Sequence, residues 1–116
     1  MMNLTQKVCV ACEGGVPPLQ GQELHHYLEE VEDWTLGRTD EGMQMIKKKF
    51  EFKNFKEALA FVNKVGEIAE AEGHHPDIHL AWGRVKIILW THKIDGLTES
   101  DFILAAKIET LPQDKA

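Results

Sequence analysis

Hydrophobic and polar residues recur with two different periods along the chain, which predicts three helices and two strand pairs. Helical spacing of apolar residues occurs over 20–32, over 54–73, and in a last helix that Thr98 and Asp101 open. Strand-like alternation occurs at Trp34 and Leu36, over 43–52, over 78–82 and over 85–92. The turn residues Gly42, Gly83 and Arg84 separate the strands within each pair. This order predicts an α+β fold in the order α-β-β-α-β-β-α, with helices on one face of a four-stranded antiparallel sheet.

The segment 54–73 has the clearest helical pattern. Asn54 can cap its first turn together with Glu57, and Gly73 is suited to a left-handed end. Six apolar residues form the predicted core stripe: Phe55, Ala58, Leu59, Val62, Val65 and Ala69. Phe61 and Ile68 make the stripe wider than one sheet face requires. The extra width indicates either oligomerisation through this helix or a deep groove within the monomer.

Length and composition predict one domain over residues 1–116, with 1–18 as an irregular N-terminal arm. The chain has 116 residues, of which 43% are hydrophobic, as in ordinary globular domains. Its longest apolar runs are far shorter than the roughly 20 residues of a membrane span, and the N-terminus lacks the apolar core of a signal peptide. We therefore expect no membrane partner and a cytoplasmic location.

The net charge of −6 argues against a general electrostatic grip on nucleic acid. The densest basic run is the segment 47–49, three consecutive lysines. On a strand these side chains alternate between faces, which favours a solvated edge over a nucleic-acid surface. We expect no direct binding to nucleic acid.

Cys9 and Cys12 form a CxxC motif in a context typical of a loop. Glycines and prolines follow it, whereas a thioredoxin-type redox site lies at the start of a helix. A structural zinc would need two further ligands. The sequence has no second cysteine pair, so a histidine pair from elsewhere remains the open alternative.

The segment EGHHPDIH, residues 72–79, contains three of the six histidines. His74 and His75 lie between the long helix and the second hairpin, and His92 lies at the end of that hairpin's second strand. Because the strands of a hairpin run antiparallel, His92 should return close to His74 and His75. Such a cluster suits acid-base chemistry, since imidazole titrates near neutral pH, while zinc binding is the chemical alternative. We interpret His79 as a surface residue.

A longer pattern includes these histidines. It consists of Glu70, the segment AEG, His74-His75-Pro76, the segment DIHLA, Trp82, nine further residues, His92 and later Asp101. The chain resembles the pterin-4a-carbinolamine dehydratase family in this pattern, and most closely the bacterial form that accompanies phenylalanine hydroxylase. Trp34, the CxxC segment and the stretch FKNFKEALAFVNKVGEIAEAEGHHP are also similar to the bacterial members.

The resemblance implies dehydration of 4a-hydroxytetrahydropterin to quinonoid dihydropterin and water, which recycles the pterin of aromatic amino acid hydroxylation. It implies a pterin substrate and a reaction that needs no redox cofactor or metal. It implies His74 and His92 as the acid-base pair, with His75 orienting the pterin. Glu70 would accept from the pterin's amino-pyrimidine edge or orient an imidazole, with an ordinary surface carboxylate of the helix as the alternative.

The remaining candidates have alternative interpretations. Asp101 would cap the last helix, steady the site, or do both. Trp34 and Trp90 are candidate ring contacts, with a core or interface role as the alternative.

Two other functions compete with the enzymatic interpretation. The chain could act as a dimerisation or binding module, because animal members of the family are also partners of a homeodomain transcription factor. It could instead bind metal through His74, His75 and His92, with or without the cysteine pair. The resemblance further implies a homodimer or homotetramer and a functional link to phenylalanine hydroxylase.

Overall fold

The structure, a computed structural model, describes residues 18–111 and has the predicted order of elements. The elements are α1 (Gly21–Glu30), β1 (Thr35–Arg38), β2 (Gln44–Glu51), α2 (Phe55–Glu72), β3 (Asp77–Ala81), β4 (Arg84–Leu89) and α3 (Glu99–Glu109). The α+β prediction is confirmed. The predicted N-terminal arm, apart from Pro18, and the Cys9/Cys12 pair lie outside the described residues.

The four strands form one antiparallel sheet in the order β1-β2-β4-β3. Alternate residues of the two central strands point toward the helices and are buried: Ile46 and Phe50 of β2, and Val85, Ile87 and Leu89 of β4. This is the period-two burial expected of a sheet that is covered on one face. On the other face Ile88, and Trp90 just beyond the end of β4, are half-buried.

Lys48 interrupts the apolar face of β2 because it has acidic partners there. Its ammonium group forms an ion pair with Glu109 at the end of α3 and lies 3.5 Å from an Asp33 carboxylate oxygen. It also lies 4.6 Å from the centroid of the Phe50 ring, an arrangement that favours a cation. The three lysines at 47–49 therefore alternate between the two faces of the sheet, and only Lys48 is directed toward the helices.

The last strand is shorter than predicted. The sequence predicts a strand over 85–92, whereas β4 ends at Leu89. The chain turns after Trp90 because the Thr91 carbonyl accepts hydrogen bonds from the amides of Ile94 and Asp95, and the Thr91 amide donates to Gly96. His92 consequently lies in this turn, and the prediction that it belongs to the strand is wrong.

The β3–β4 turn is formed by Trp82 and Gly83, one residue earlier than predicted. Gly83 is required by a close backbone approach. Its carbonyl accepts a hydrogen bond from the Phe52 amide, and a Cβ atom at this position would lie 2.8 Å from the Phe52 carbonyl oxygen. Any larger residue would push β2 away from the turn.

Both predicted ends of α2 are confirmed. The Asn54 side chain accepts from the Glu57 amide at 2.8 Å, and Gly73 adopts the left-handed conformation, with φ of 67°. The buried stripe consists of Ala58, Phe61, Val65 and Ala69. It is rotated from the predicted one because the Phe61 ring packs between those of Phe50 and Phe52.

Phe55 and Leu59 are therefore not core residues. They remain 45% and 39% exposed, and the prediction that they face the core is wrong. No helix within residues 18–111 is long and apolar enough to cross a membrane.

Helix α3 is buried on more than one side. Its consecutive residues from Phe102 to Ala105 are buried, and it contacts both α1 and α2. The Tyr27 ring of α1 stacks on Phe102, with ring centroids 5.4 Å apart, and its hydroxyl donates to Glu99 at 2.7 Å. Burial raises the pKa of Tyr27 to about 12, assisted by the hydrogen bond to Glu99 and by the charges of Glu99 and Glu23.

We predict that Tyr27 titrates near pH 12 in the folded protein. The neutral phenol is favoured by folding, so its contribution to stability is intact below its unfolded pKa of about 10 and is lost as pH rises toward the folded value. Tyr27 is the only tyrosine in the chain, so the ultraviolet absorbance of tyrosinate measures it directly. In the Glu99→Gln variant the midpoint should fall. A folded wild-type midpoint near the unfolded value would contradict the prediction.

Candidate functional site

The site is built where α2 passes into β3. Gly73 ends the helix in a left-handed conformation, and the His74 amide donates to the Ala69 carbonyl. Residues 74–76 belong to no helix or strand, and the side chains of His74 and His75 differ in their burial. His74 is only 5% exposed, whereas the His75 side chain is 62% exposed.

The register of the hairpin determines what faces this segment. Asp77 at the start of β3 pairs with Ile88 near the end of β4. The residues before β3 and those after β4 therefore leave the sheet at the same end. Helix α3 begins at this end too, since Thr91 contacts both Thr98 and Asp101.

His74 binds a buried carboxylate. Its Nε2 lies 2.6 Å from Oδ1 of Asp101, whose side chain is fully buried. A buried carboxylate is stable only when it is well hydrogen-bonded, and Asp101 meets that condition. Its other oxygen, Oδ2, accepts from the Thr98 amide at 2.9 Å and from the Thr91 hydroxyl at 2.8 Å.

Asp101 therefore has two structural roles. The bond from the Thr98 amide is one half of the capping box at the start of α3, as the spacing Thr98-x-x-Asp101 predicts. The bond to His74 joins that helix start to the end of α2. The Thr91 and Thr98 hydroxyls lie 2.7 Å apart and complete the buried cluster.

His75 has a separate carboxylate partner. Its Nε2 lies 2.5 Å from Oε2 of Glu70 in the last turn of α2, and the Glu70 side chain is 78% exposed. The two adjacent histidines thus form two different pairs, one buried and one open to solvent. An exposed pair is free to rearrange around a ligand, whereas the buried pair is held by several contacts.

His92 lies beside this cluster rather than within it. Its ring stacks on that of Trp90, with centroids 4.5 Å apart and planes 24° apart. Among the contacts of the described residues, none joins His92 directly to His74 or His75. Its link to His74 runs through the neighbouring Thr91, which shares Asp101 with that histidine.

Trp34 and Trp82 lie away from these histidines. Trp34 is a core residue that packs edge-on against Phe50 and donates to Glu109 at 3.0 Å, at the opposite end of α3 from Asp101. Those two acidic positions are eight residues apart along the helix, a rise of about 12 Å. Trp82 is 68% exposed in the hairpin turn, at the other end of β3 and β4.

In the part of the chain that the structure describes, no set of side chains supports the zinc-binding alternative. Within residues 18–111 no group of three or more His, Cys, Asp or Glu side chains is arranged to hold a metal ion. Cys9 and Cys12 lie outside that range.

The sequence pattern does not predict the contacts of the threonine hydroxyls. Thr98 carries a recognisable signal as the first residue of a capping box, but the spacing says nothing of its contact with Thr91. Thr91 has no motif of its own. Only its position next to His92 could have drawn attention to it.

Known proteins are similar to this chain over nearly its whole length. A family model described as Pterin 4 alpha carbinolamine dehydratase matches residues 17–111. A Rubrobacter xylanophilus protein named for pterin-4-alpha-carbinolamine dehydratase is 52% identical over 111 residues, which cover 96% of this chain and 100% of that protein. An Alkaliphilus metalliredigens protein named in the same way is 49% identical over 110 residues, covering 94% and 96%.

A solved structure is similar as well. The crystal structure of a transcriptional coactivator/pterin dehydratase from Brucella Melitensis has a TM-score of 0.72 and 32% sequence identity, covering 80% of this chain and 96% of that chain. Together with the family model, these matches confirm the resemblance found in the sequence.

We predict that Asp101→Asn destabilises the protein by about 1–3 kcal/mol, because an amide nitrogen would face one of the donors that now bind the carboxylate. Urea unfolding with an unchanged m value would measure this loss. Asp40→Asn, at an exposed position, is the matched control and should change stability by less than about 0.5 kcal/mol. Equal stability of the two variants would contradict the prediction.

Proposed function

Because the chain belongs to the pterin 4 alpha carbinolamine dehydratase family, we propose that it dehydrates 4a-hydroxytetrahydropterin through histidine acid-base catalysis. The family model covers the described residues, and the Rubrobacter relative matches from end to end. Relatives with this name are hydro-lyases, enzymes that release water by breaking a carbon–oxygen bond.

The reaction requires two proton transfers and involves no oxidation or reduction. The C4a–O bond breaks as the hydroxyl group takes up a proton and leaves as water. A proton leaves N5, and its bonding electrons form the new double bond of the quinonoid dihydropterin. One group must donate a proton and another must accept one, and imidazole can do either near neutral pH.

The observation that carries this proposal is the buried pair of His74 and Asp101. A carboxylate at Nε2 holds the imidazole ring in one orientation and keeps a proton on that nitrogen. The second ring nitrogen, Nδ1, is then the atom that exchanges a proton with the pterin. These properties support His74 as one member of the acid-base pair.

His92 is the second member in this proposal. It is solvent-exposed and keeps its ring parallel to that of Trp90, so a flat pterin could reach both rings at the end of β4. His75, paired with Glu70, would orient the pterin at the open side. Trp34 is left out, because its ring is occupied in the core.

The proposal also has a cellular part. The likeness to the bacterial form that accompanies phenylalanine hydroxylase supports a functional link to that enzyme, in which the dihydropterin is reduced again for further hydroxylation. A cytoplasmic location is part of the same proposal.

We expect His74→Ala and His92→Ala each to lower turnover by about 10²-fold or more, the usual contribution of a positioned acid or base. His79→Ala is the matched control, since His79 is exposed on β3 and has no part in the site. The measurement is the rate at which freshly generated 4a-hydroxytetrahydropterin loses water, followed by ultraviolet absorbance. A wild-type rate equal to that of buffer would exclude the proposed reaction.

A second function, self-association through α2, is favoured by a specific surface. Phe55 and Leu59 are exposed, Val62 is half-buried, and all three follow one side of the helix. Gly66 continues this line, and a Cβ atom there would meet nothing within 4 Å. An apolar line with a small residue suits close packing against another helix, so we propose a homodimer or homotetramer joined here.

We expect the Phe55→Glu/Leu59→Glu double variant to dissociate the oligomer, since charged groups would be buried at the contact. Light scattering during size-exclusion chromatography would measure the mass. Ala60→Glu adds charge to the same helix at an exposed position away from the apolar line and should leave the mass unchanged. A monomeric wild-type protein would contradict this proposal without affecting the dehydratase one.

A further inference from the structure

The hydroxyls of Thr91 and Thr98 form a buried chain that ends on Asp101. Thr91 donates to Asp101 Oδ2 at 2.8 Å and lies 2.7 Å from the Thr98 hydroxyl. Since the single hydroxyl proton of Thr91 goes to Asp101, the proton in the second contact comes from Thr98. Each threonine is only 2% exposed, so solvent does not compete for these bonds.

This chain determines how the carboxylate meets His74. Oδ2 of Asp101 receives both the Thr91 hydroxyl and the Thr98 amide, which leaves Oδ1 for His74. The carboxylate cannot rotate without breaking all three contacts. An acceptor held at Nε2 keeps the ring proton on that nitrogen and leaves Nδ1 as the basic atom.

Thr91 also holds the turn that contains His92. Its amide donates to the Gly96 carbonyl, and its own carbonyl accepts from Ile94 and Asp95. The side chain of Thr91 is therefore bonded to the partner of His74, while its backbone shapes the turn that presents the neighbouring His92.

We propose that Thr91 is a positioning residue with two effects. Through Asp101 it keeps His74 in its Nε2-protonated tautomer, and through its backbone it fixes the position of the turn that contains His92. The inference rests on the proposed dehydratase function for its catalytic consequence. Its structural content is the proton position on His74, which can be measured without any substrate.

The experiment compares Thr91→Val, which keeps the shape and loses the hydroxyl, with Thr91→Ser, which keeps the hydroxyl. Thr110→Val is the matched control, because the Thr110 hydroxyl donates to a backbone carbonyl at the exposed end of α3. One measurement is kcat and KM for dehydration. The other is ¹⁵N NMR of the histidine rings, which assigns the protonated nitrogen of His74.

We expect Thr91→Val to lower kcat by about tenfold with little change in KM, as for loss of an outer hydrogen-bond partner of a functional histidine. The His74 ring should then populate both tautomers. Thr91→Ser and Thr110→Val should resemble wild type in both measurements.

Wild-type kcat and an unchanged tautomer in Thr91→Val would overturn the proposal. If that variant does not fold, the wild-type spectrum still decides, since a proton on Nδ1 of His74 at neutral pH would overturn it as well. Absence of dehydration by the wild type would exclude the proposed function alone, because the ring spectra of wild type and variants would still test the role of Thr91.

Discussion

The buried carboxylate of Asp101 is the interaction on which the site depends. It joins three segments of the chain: the end of α2 through His74, the turn after β4 through Thr91, and the start of α3 through Thr98. A carboxylate that accepts three hydrogen bonds inside a protein restricts each donor strongly, because any loss would leave a buried polar group unsatisfied. Packing alone would align these segments less closely.

Polar contacts also hold the other end of α3, away from Asp101. In its last turn Lys107 forms an ion pair with Glu72 at 2.7 Å, which ties α3 to the last turn of α2. At the same end Glu109 accepts from Trp34 and pairs with Lys48 of β2. Helix α3 is thus fastened to the sheet and to the neighbouring helix, which makes it a rigid base for Asp101.

Local signals predicted most of the fold. The caps at Asn54, Gly73 and Thr98 depend on residues within one turn, so they could be recognised from spacing alone. The end of β4 could not, because it is determined by bonds from Thr91 to residues in the following turn and in α3. The inward position of Lys48 depends on Glu109, which is distant in sequence. The width of the α2 stripe was visible, but which of its edges faces the sheet depends on the Phe61 ring.

The sequence predicted which residues belong to the site better than it predicted their arrangement. The family pattern contains His74, His75, His92, Glu70 and Asp101, and the structure pairs four of them as two carboxylate–imidazole couples. Periodicity could not reveal that one couple is buried and the other exposed. That difference arises from the direction in which the chain leaves Gly73. The left-handed turn at that glycine sets the direction of the segment that follows, so a single residue inserted after it would change the environments of two chemically identical side chains.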